Sequence, residues 1–194
     1  MDQPQQICSA ALENTRRLIN ADRRFPGNVF VGTWDEYFFF DSDWITDREL
    51  VRTVQSLLRG ESGSCACLLK LDSGTGITDQ VRHLVIDHET TPGAYQTLLD
   101  GEGPEDGWGY DIARYCCVSD KASWCVYCEQ ASEIGVVAFR DADSIAVHRS
   151  AIAELHAVHV EDAIAGPLSY GFSERGMSPA WRTELVRHYG DRRR

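Results

Sequence analysis

Positive charge is scarce in this chain. Of its 194 residues, 19 are Lys or Arg and 30 are Asp or Glu, for a formal net charge of −11. A nucleic-acid surface needs a basic face to displace the counterions around phosphate, so this balance argues against nucleic acid as a partner. Long apolar runs are missing too. The longest, such as Phe38–Phe40 and Val136–Phe139, are strand-sized, whereas a membrane span needs roughly 18 or more apolar residues in a row. The opening MDQPQQICSA has neither the basic start nor the apolar centre of an export signal. The expectation is a cytoplasmic chain that does not engage a membrane.

The common catalytic signatures are absent as well. Gly74-Thr75-Gly76 and Gly101-Glu102-Gly103 lack both the Lys-Ser/Thr of a phosphate loop and the third glycine of a dinucleotide fingerprint. Neither a Gly-x-Ser-x-Gly elbow nor a His-Glu-x-x-His pair occurs. No cofactor is expected. One enzymatic alternative remains, a hydrolytic or metal-dependent site around Asp87, His88 and Glu89, where three ionisable side chains gather at a strand end.

Seven cysteines are present, an odd number. With no export signal, reduced thiols are the simpler expectation. Cys65-x-Cys67, Cys116-Cys117 and Cys125-x-x-Cys128 superficially resemble a metal set, but zinc needs converging ligands. All three groups fall in predicted strands, where Cys125 and Cys128 point to opposite faces, as do Cys116 and Cys117; only Cys65 and Cys67 share one. They read as small buried apolar residues rather than ligands.

What the chain does contain is regular structure. Ser9–Ala21 has apolar residues at helical spacing behind Ser9 as N-cap. VFVGTWDEYFFF reads as a strand, a turn near Asp35-Glu36 and a second strand. Thr46–Arg59 is the strongest helix, with Thr46 and Glu49 at capping-box spacing and Leu50, Val51, Val54, Leu57 and Leu58 as one stripe. Gly60 stands where a left-handed C-terminal residue is wanted. Ser64–Leu71 and Val81–Asp87 read as strands. Thr91-Pro92 opens a helix that runs to about Gly101.

After the acidic loop Gly101–Gly109 come a strand over Tyr110–Val118 and the hairpin Trp124–Arg140. A helical stretch, Asp143–Ala165, follows, and a last helix opens at Ser178-Pro179. No repeat or composition break divides the chain, so residues 1–194 form a single domain. The consecutive strands favour antiparallel pairing. The fold class is therefore α+β, a mainly antiparallel sheet with helices packed on it.

Two acidic clusters carry aromatic residues. Asp100, Glu102, Glu105, Asp106 and Asp111 surround Trp108 with no Lys or Arg among them. Asp35, Glu36, Asp41, Asp43 and Asp47 surround Trp34, Tyr37 and Trp44. Aromatic anchors ringed by carboxylates suit a surface for a basic protein; the bland alternative is solvated loops with tryptophans turned inward.

The hairpin adds a family likeness. Trp124-x-x-Tyr127-x-Glu129, followed by Glu133-Ile134-Gly135-Val136-Val137-Ala138, resembles a hairpin of small bacterial immunity proteins. These guard a cell against secreted toxins, including type VI secretion and other polymorphic toxins. The resemblance implies a non-enzymatic cytoplasmic protein that binds one cognate toxin, a basic enzyme such as a nuclease, and occludes its active site. On that reading Glu102, Glu105, Asp106 and Trp108 are the first contact candidates, and Asp41, Asp43 and Trp44 the second. A homodimer is compatible with it.

Overall fold

The structure, a computed structural model, describes residues 8–71, 83–101, 113–165 and 177–190. Its centre is a six-stranded sheet in the order β1-β6-β5-β4-β2-β3, every neighbouring pair antiparallel. The strands are β1 (Glu36–Asp41), β2 (Cys65–Lys70), β3 (His83–Asp87), β4 (Arg114–Ser119), β5 (Trp124–Glu129) and β6 (Ile134–Phe139). The helices are α1 (Ser9–Leu18), α2 (Leu50–Glu61), α3 (Pro92–Asp100), α4 (Ile145–Glu154), α5 (Val160–Ala165) and α6 (Pro179–Tyr189). This is the expected α+β class. Among the described residues no helix is long and apolar enough to cross a membrane.

Helices cover both faces of the sheet, so the domain has three layers. Strand alternation sorts the side chains. Tyr37, Phe39, Cys67, Cys116, Cys125, Tyr127 and Val136 face a core closed by α1, the segment after it, α5 and α6. Phe38, Phe40, Leu68, Cys117, Trp124, Cys128 and Val137 face a second core closed by α2, α3 and α4. Every residue of β4, β5 and β6 is buried. That explains why these strands read as near-continuous apolar runs rather than alternating ones. The cysteine reading holds here: Cys116 and Cys117 part to opposite cores, and so do Cys125 and Cys128.

One polar group is built into the first core. Glu129, 6% exposed, accepts from the Phe25 N–H and the Tyr127 hydroxyl and pairs with Arg24 at 3.8 Å. Arg114, its cross-strand neighbour, donates to the carbonyls of Ala21 and Arg23. Buried charge is tolerated when it is paired and hydrogen-bonded in this way. Here it ties the chain between α1 and β1 to the sheet.

Five local expectations are corrected. First, Val29–Phe40 is not a hairpin; Phe30 makes only an isolated bridge to Ile19, and β1 alone joins the sheet. Trp34 and Tyr37 are buried in the first core instead.

Second, the Thr46–Glu49 capping box does not form. Thr46 ends a short 3-10 helix over Ser42–Thr46, its hydroxyl donating to the Asp43 carbonyl, and Asp47 Oδ1 takes the Glu49 N–H. The left-handed residue after α2 is Ser62, not Gly60. Gly60 lies inside α2, where a Cβ would stand 2.6 Å from the His148 ring. Third, Cys8 rather than Ser9 occupies the N-cap of α1.

Fourth, Asp143–Ala165 is two helices. The chain breaks at His156 (φ 51°), and Val158 pairs with Phe39, exchanging N–H···O bonds of 2.7 and 2.9 Å. This break covers the outer edge of β1, an otherwise open row of donors and acceptors. Finally, Cys8 and Cys65 are joined in a disulfide, where reduced thiols were expected.

Candidate functional site

The 3-10 helix Ser42–Thr46 leaves β1 and crosses the end of the second core. Two buried tyrosines fix its backbone: Tyr115 donates its hydroxyl to the Ser42 carbonyl, and Tyr95 donates to the Ile45 carbonyl at 2.8 Å. Ile45 is fully buried between them. With Ser42 and Ile45 facing inward, Asp43 and Thr46 face out and Trp44 lies half-buried along the surface. Asp41 anchors the start, its Oδ1 accepting from the Asp43 N–H at 2.8 Å.

These residues form one wall of a cleft of about 590 Å³. Asp41, Asp43, Trp44, Thr46, Asp47 and Arg48 come from the crossing segment and its continuation, Gln96 from α3, and Leu155 and His156 from the end of α4. A smaller hollow of about 450 Å³ continues past Arg48 and Gln96 toward Arg52 and Asp100. Glu49 pairs with both arginines there, at 3.8 Å to Arg48 and 2.7 Å to Arg52. Glu49 is thus shared between the two arginines, and in the larger cleft three carboxylates, Asp41, Asp43 and Asp47, stand against the one arginine, Arg48.

Each of those carboxylates is positioned through one oxygen. Asp43 Oδ1 accepts from Gln130 Nε2 at 2.7 Å, and Asp47 Oδ1 from the Glu49 N–H at 2.8 Å. The buried Trp44 Nε1 has no partner among the described residues. Chemically, the cleft offers aimed carboxylates beside an indole face. Such a surface attracts an ammonium or guanidinium through charge and through the ring quadrupole.

The structure places Asp41, Asp43 and Trp44 on one wall of this cleft. It separates them from Trp34 and Tyr37, both buried in the first core; Trp34 is covered there by Arg140, 4.7 Å from the ring centroid. Glu102, Glu105, Asp106 and Trp108 lie outside the described residues. Gln96, Gln130 and a place in the cleft for His156 were not anticipated. No local pattern marks them, because they meet the cleft only through the packing of α3, α4 and the β5–β6 turn.

Asp87, His88 and Glu89 form the turn from β3 to α3. Asp87 Oδ1 accepts from the Glu89 N–H, the Thr90 N–H and the Thr90 hydroxyl at 2.8–3.0 Å. His88 Nε2 meets the Gly63 carbonyl at 2.9 Å, and Gln55 Nε2 donates to the carbonyls of Asp87, His88 and Thr90. These contacts give the three residues a turn-forming role. Among the described residues no group of three His, Cys, Asp or Glu side chains is placed to hold a metal ion.

Fold and cleft together define an α+β domain with helices on both faces of an antiparallel sheet and an acidic, aromatic-lined cleft at one end. No family model, curated protein or solved structure matches the chain.

Proposed function

We propose that this protein is a binding module, an immunity protein that captures a basic secreted toxin in the cytoplasm and blocks its active site. The observation that carries the reading is the cleft. Asp41, Asp43 and Asp47 converge beside Trp44 on a backbone segment locked by two buried tyrosine hydroxyls. A rigid acidic surface with an aromatic anchor favours a cationic partner in two ways. Charge steers encounter and sets register, and a desolvated indole supplies the strong local contact. The net charge of −11 acts in the same direction at long range. Glu102, Glu105, Asp106 and Trp108 remain contact candidates on the sequence pattern alone. A type VI or other polymorphic toxin system is the setting the hairpin resemblance suggests.

The test is calorimetric titration of the purified protein with the product of the neighbouring reading frame, alongside Asp43→Lys, Trp44→Ala and Glu105→Lys/Asp106→Lys variants. A cognate toxin binds tightly and loses its activity in the complex. Reversal of Asp43 raises Kd about 100-fold or more, since a like charge then faces the partner's cation. Unchanged Kd in all three variants would remove the surface assignment. A neighbouring product that neither binds nor is inhibited would remove the immunity reading.

A further inference from the structure

The seven cysteines fall into two chemical classes. Cys67, Cys116, Cys117, Cys125 and Cys128 are free thiols sealed in the sheet. Burial pushes the Cys67 thiol up to about 12 and holds the other four well above the usual thiol range. A thiol kept protonated and out of solvent neither attacks nor is attacked. Cys8 and Cys65 differ: both are only half-buried, both stand at the ends of their elements, and they are bonded to each other across 57 residues of sequence.

That bond sits where α1 meets one corner of the sheet. Cys65 begins β2 and its carbonyl accepts from the Asp120 N–H at 2.9 Å. Asn14 Nδ2, one turn into α1, donates to the carbonyls of Ser119 and Asp120 at 3.0 Å. From Ala11 onward α1 is also held by buried side chains, Ala11, Leu12, Thr15 and Leu18. Before Ala11 it is not, because Ser9 and Ala10 are exposed. The disulfide therefore fastens the first turn of α1, while Asn14 and the apolar face fasten the rest.

We propose that Cys8–Cys65 is a redox-operated clasp on the start of α1. A dithiol reductant opens it by exchange. One thiolate attacks a cystine sulfur and forms a mixed disulfide, and the second displaces the remaining cysteine thiolate. The reductant leaves as a cyclic disulfide; the two cysteines gain two electrons and two protons. A small disulfide such as glutathione disulfide closes the clasp by the reverse exchange. The five sealed thiols do not compete in either direction, so one defined linkage forms. This inference is independent of the proposed partner, since the disulfide involves none of the cleft residues.

The test is alkylation and amide hydrogen exchange on the full chain. After treatment with glutathione disulfide, native protein takes up no iodoacetamide at any cysteine. After dithiothreitol under native conditions, Cys8 and Cys65 alone are labelled, and the other five react only in denaturant. Reduction speeds exchange in the first turns of α1 by about 10-fold or more while the sheet keeps its protection. It also lowers Tm by roughly 10 °C, the size expected for a linkage of this span. Cys8→Ser reproduces the reduced behaviour under oxidising conditions, and reduced wild type supplies the same comparison should that variant not fold. Labelling of Cys8 or Cys65 in the oxidised protein would overturn the proposal. So would α1 exchange that is identical in the two redox states.

Discussion

Gln130, in the turn between β5 and β6, donates from Nε2 to Asp43 Oδ1 at 2.7 Å, across 87 positions of sequence. The same amide accepts the Ser42 hydroxyl through Oε1 at 3.2 Å. One side chain thus grips the crossing segment at two successive residues and aims the Asp43 carboxylate. Gln130→Ala should leave the fold intact, because Gln130 lies on the surface side of this contact. It should weaken partner binding about 3- to 10-fold, in line with the roughly 1 kcal/mol net worth of a hydrogen bond. Gln130→Glu should weaken it further by setting one carboxylate against another. Calorimetry on the two variants, with melting curves as the control, checks both outcomes.

The tyrosines beneath the segment predict a different pattern. Tyr95→Phe and Tyr115→Phe keep the rings but leave the buried carbonyls of Ile45 and Ser42 without their donors. Each change should cost about 1–3 kcal/mol of stability. Since each frees part of the cleft wall, affinity should fall with it. Urea unfolding of the single and double variants measures the cost. A loss of affinity without loss of stability would show that the hydroxyls do not brace the segment.

Two glycines are held by close packing rather than by backbone conformation. A Cβ at Gly135 would stand 2.6 Å from the Phe40 ring and 2.9 Å from Cys128 Sγ; one at Gly60 would stand 2.6 Å from the His148 ring. Gly135→Ala should destabilise the protein by about 1–3 kcal/mol through overpacking. Gly60→Ala is the sharper case. Helix propensity alone would stabilise α2 by about 1 kcal/mol, so a net loss would isolate the clash with α4. A double change with His148→Ala should recover most of that loss, since it removes the obstructing ring.

His148 also supplies a pH signature. It is 1% exposed, stacks on Phe139 with centroids 5.1 Å apart, and leaves Nδ1 without a partner among the described residues. Burial lowers its pKa below the usual value, so the folded protein holds a neutral ring. The unfolded chain takes up the proton first as pH falls through about 6.5. The stabilising contribution is therefore complete above that pH and declines below it. His148→Leu should flatten the stability slope between about pH 7 and pH 5 relative to wild type, as read by urea midpoints.

Much of this architecture is written locally. Val136–Phe139, Cys116–Val118 and Phe38–Phe40 are apolar without alternation and rich in β-branched and aromatic residues, the pattern of strands buried on both faces. Thr91 and Ser178 cap their helices as their sequence positions require, each side chain accepting an N–H three residues on. Alternation also settled the cysteines of the sheet, since adjacent strand residues cannot face the same way. Other features answer to partners far along the chain. Gly60 has the form of a helix terminator, but it lies inside α2, where its missing Cβ leaves room for the His148 ring of α4. Thr46 and Glu49 have capping-box spacing, yet the tyrosines below draw Thr46 into the 3-10 helix instead.

The acidic character of the chain, its strands and its capped helices follow from composition, periodicity and short-range hydrogen bonding, all of which act within a few residues. Which carboxylates became a site was decided elsewhere. Asp43 and Trp44 line a cleft because Tyr95, Tyr115 and Gln130 bond Ile45, Ser42 and Asp43 around them from 50 to 88 positions away. Trp34 and Tyr37, drawn from the same acidic stretch, do not: β1 turns Tyr37 into the opposite core, and the chain before β1 packs Trp34 there too. Long-range contacts of that kind depend on where whole elements pack, and only the folded sheet brings them together.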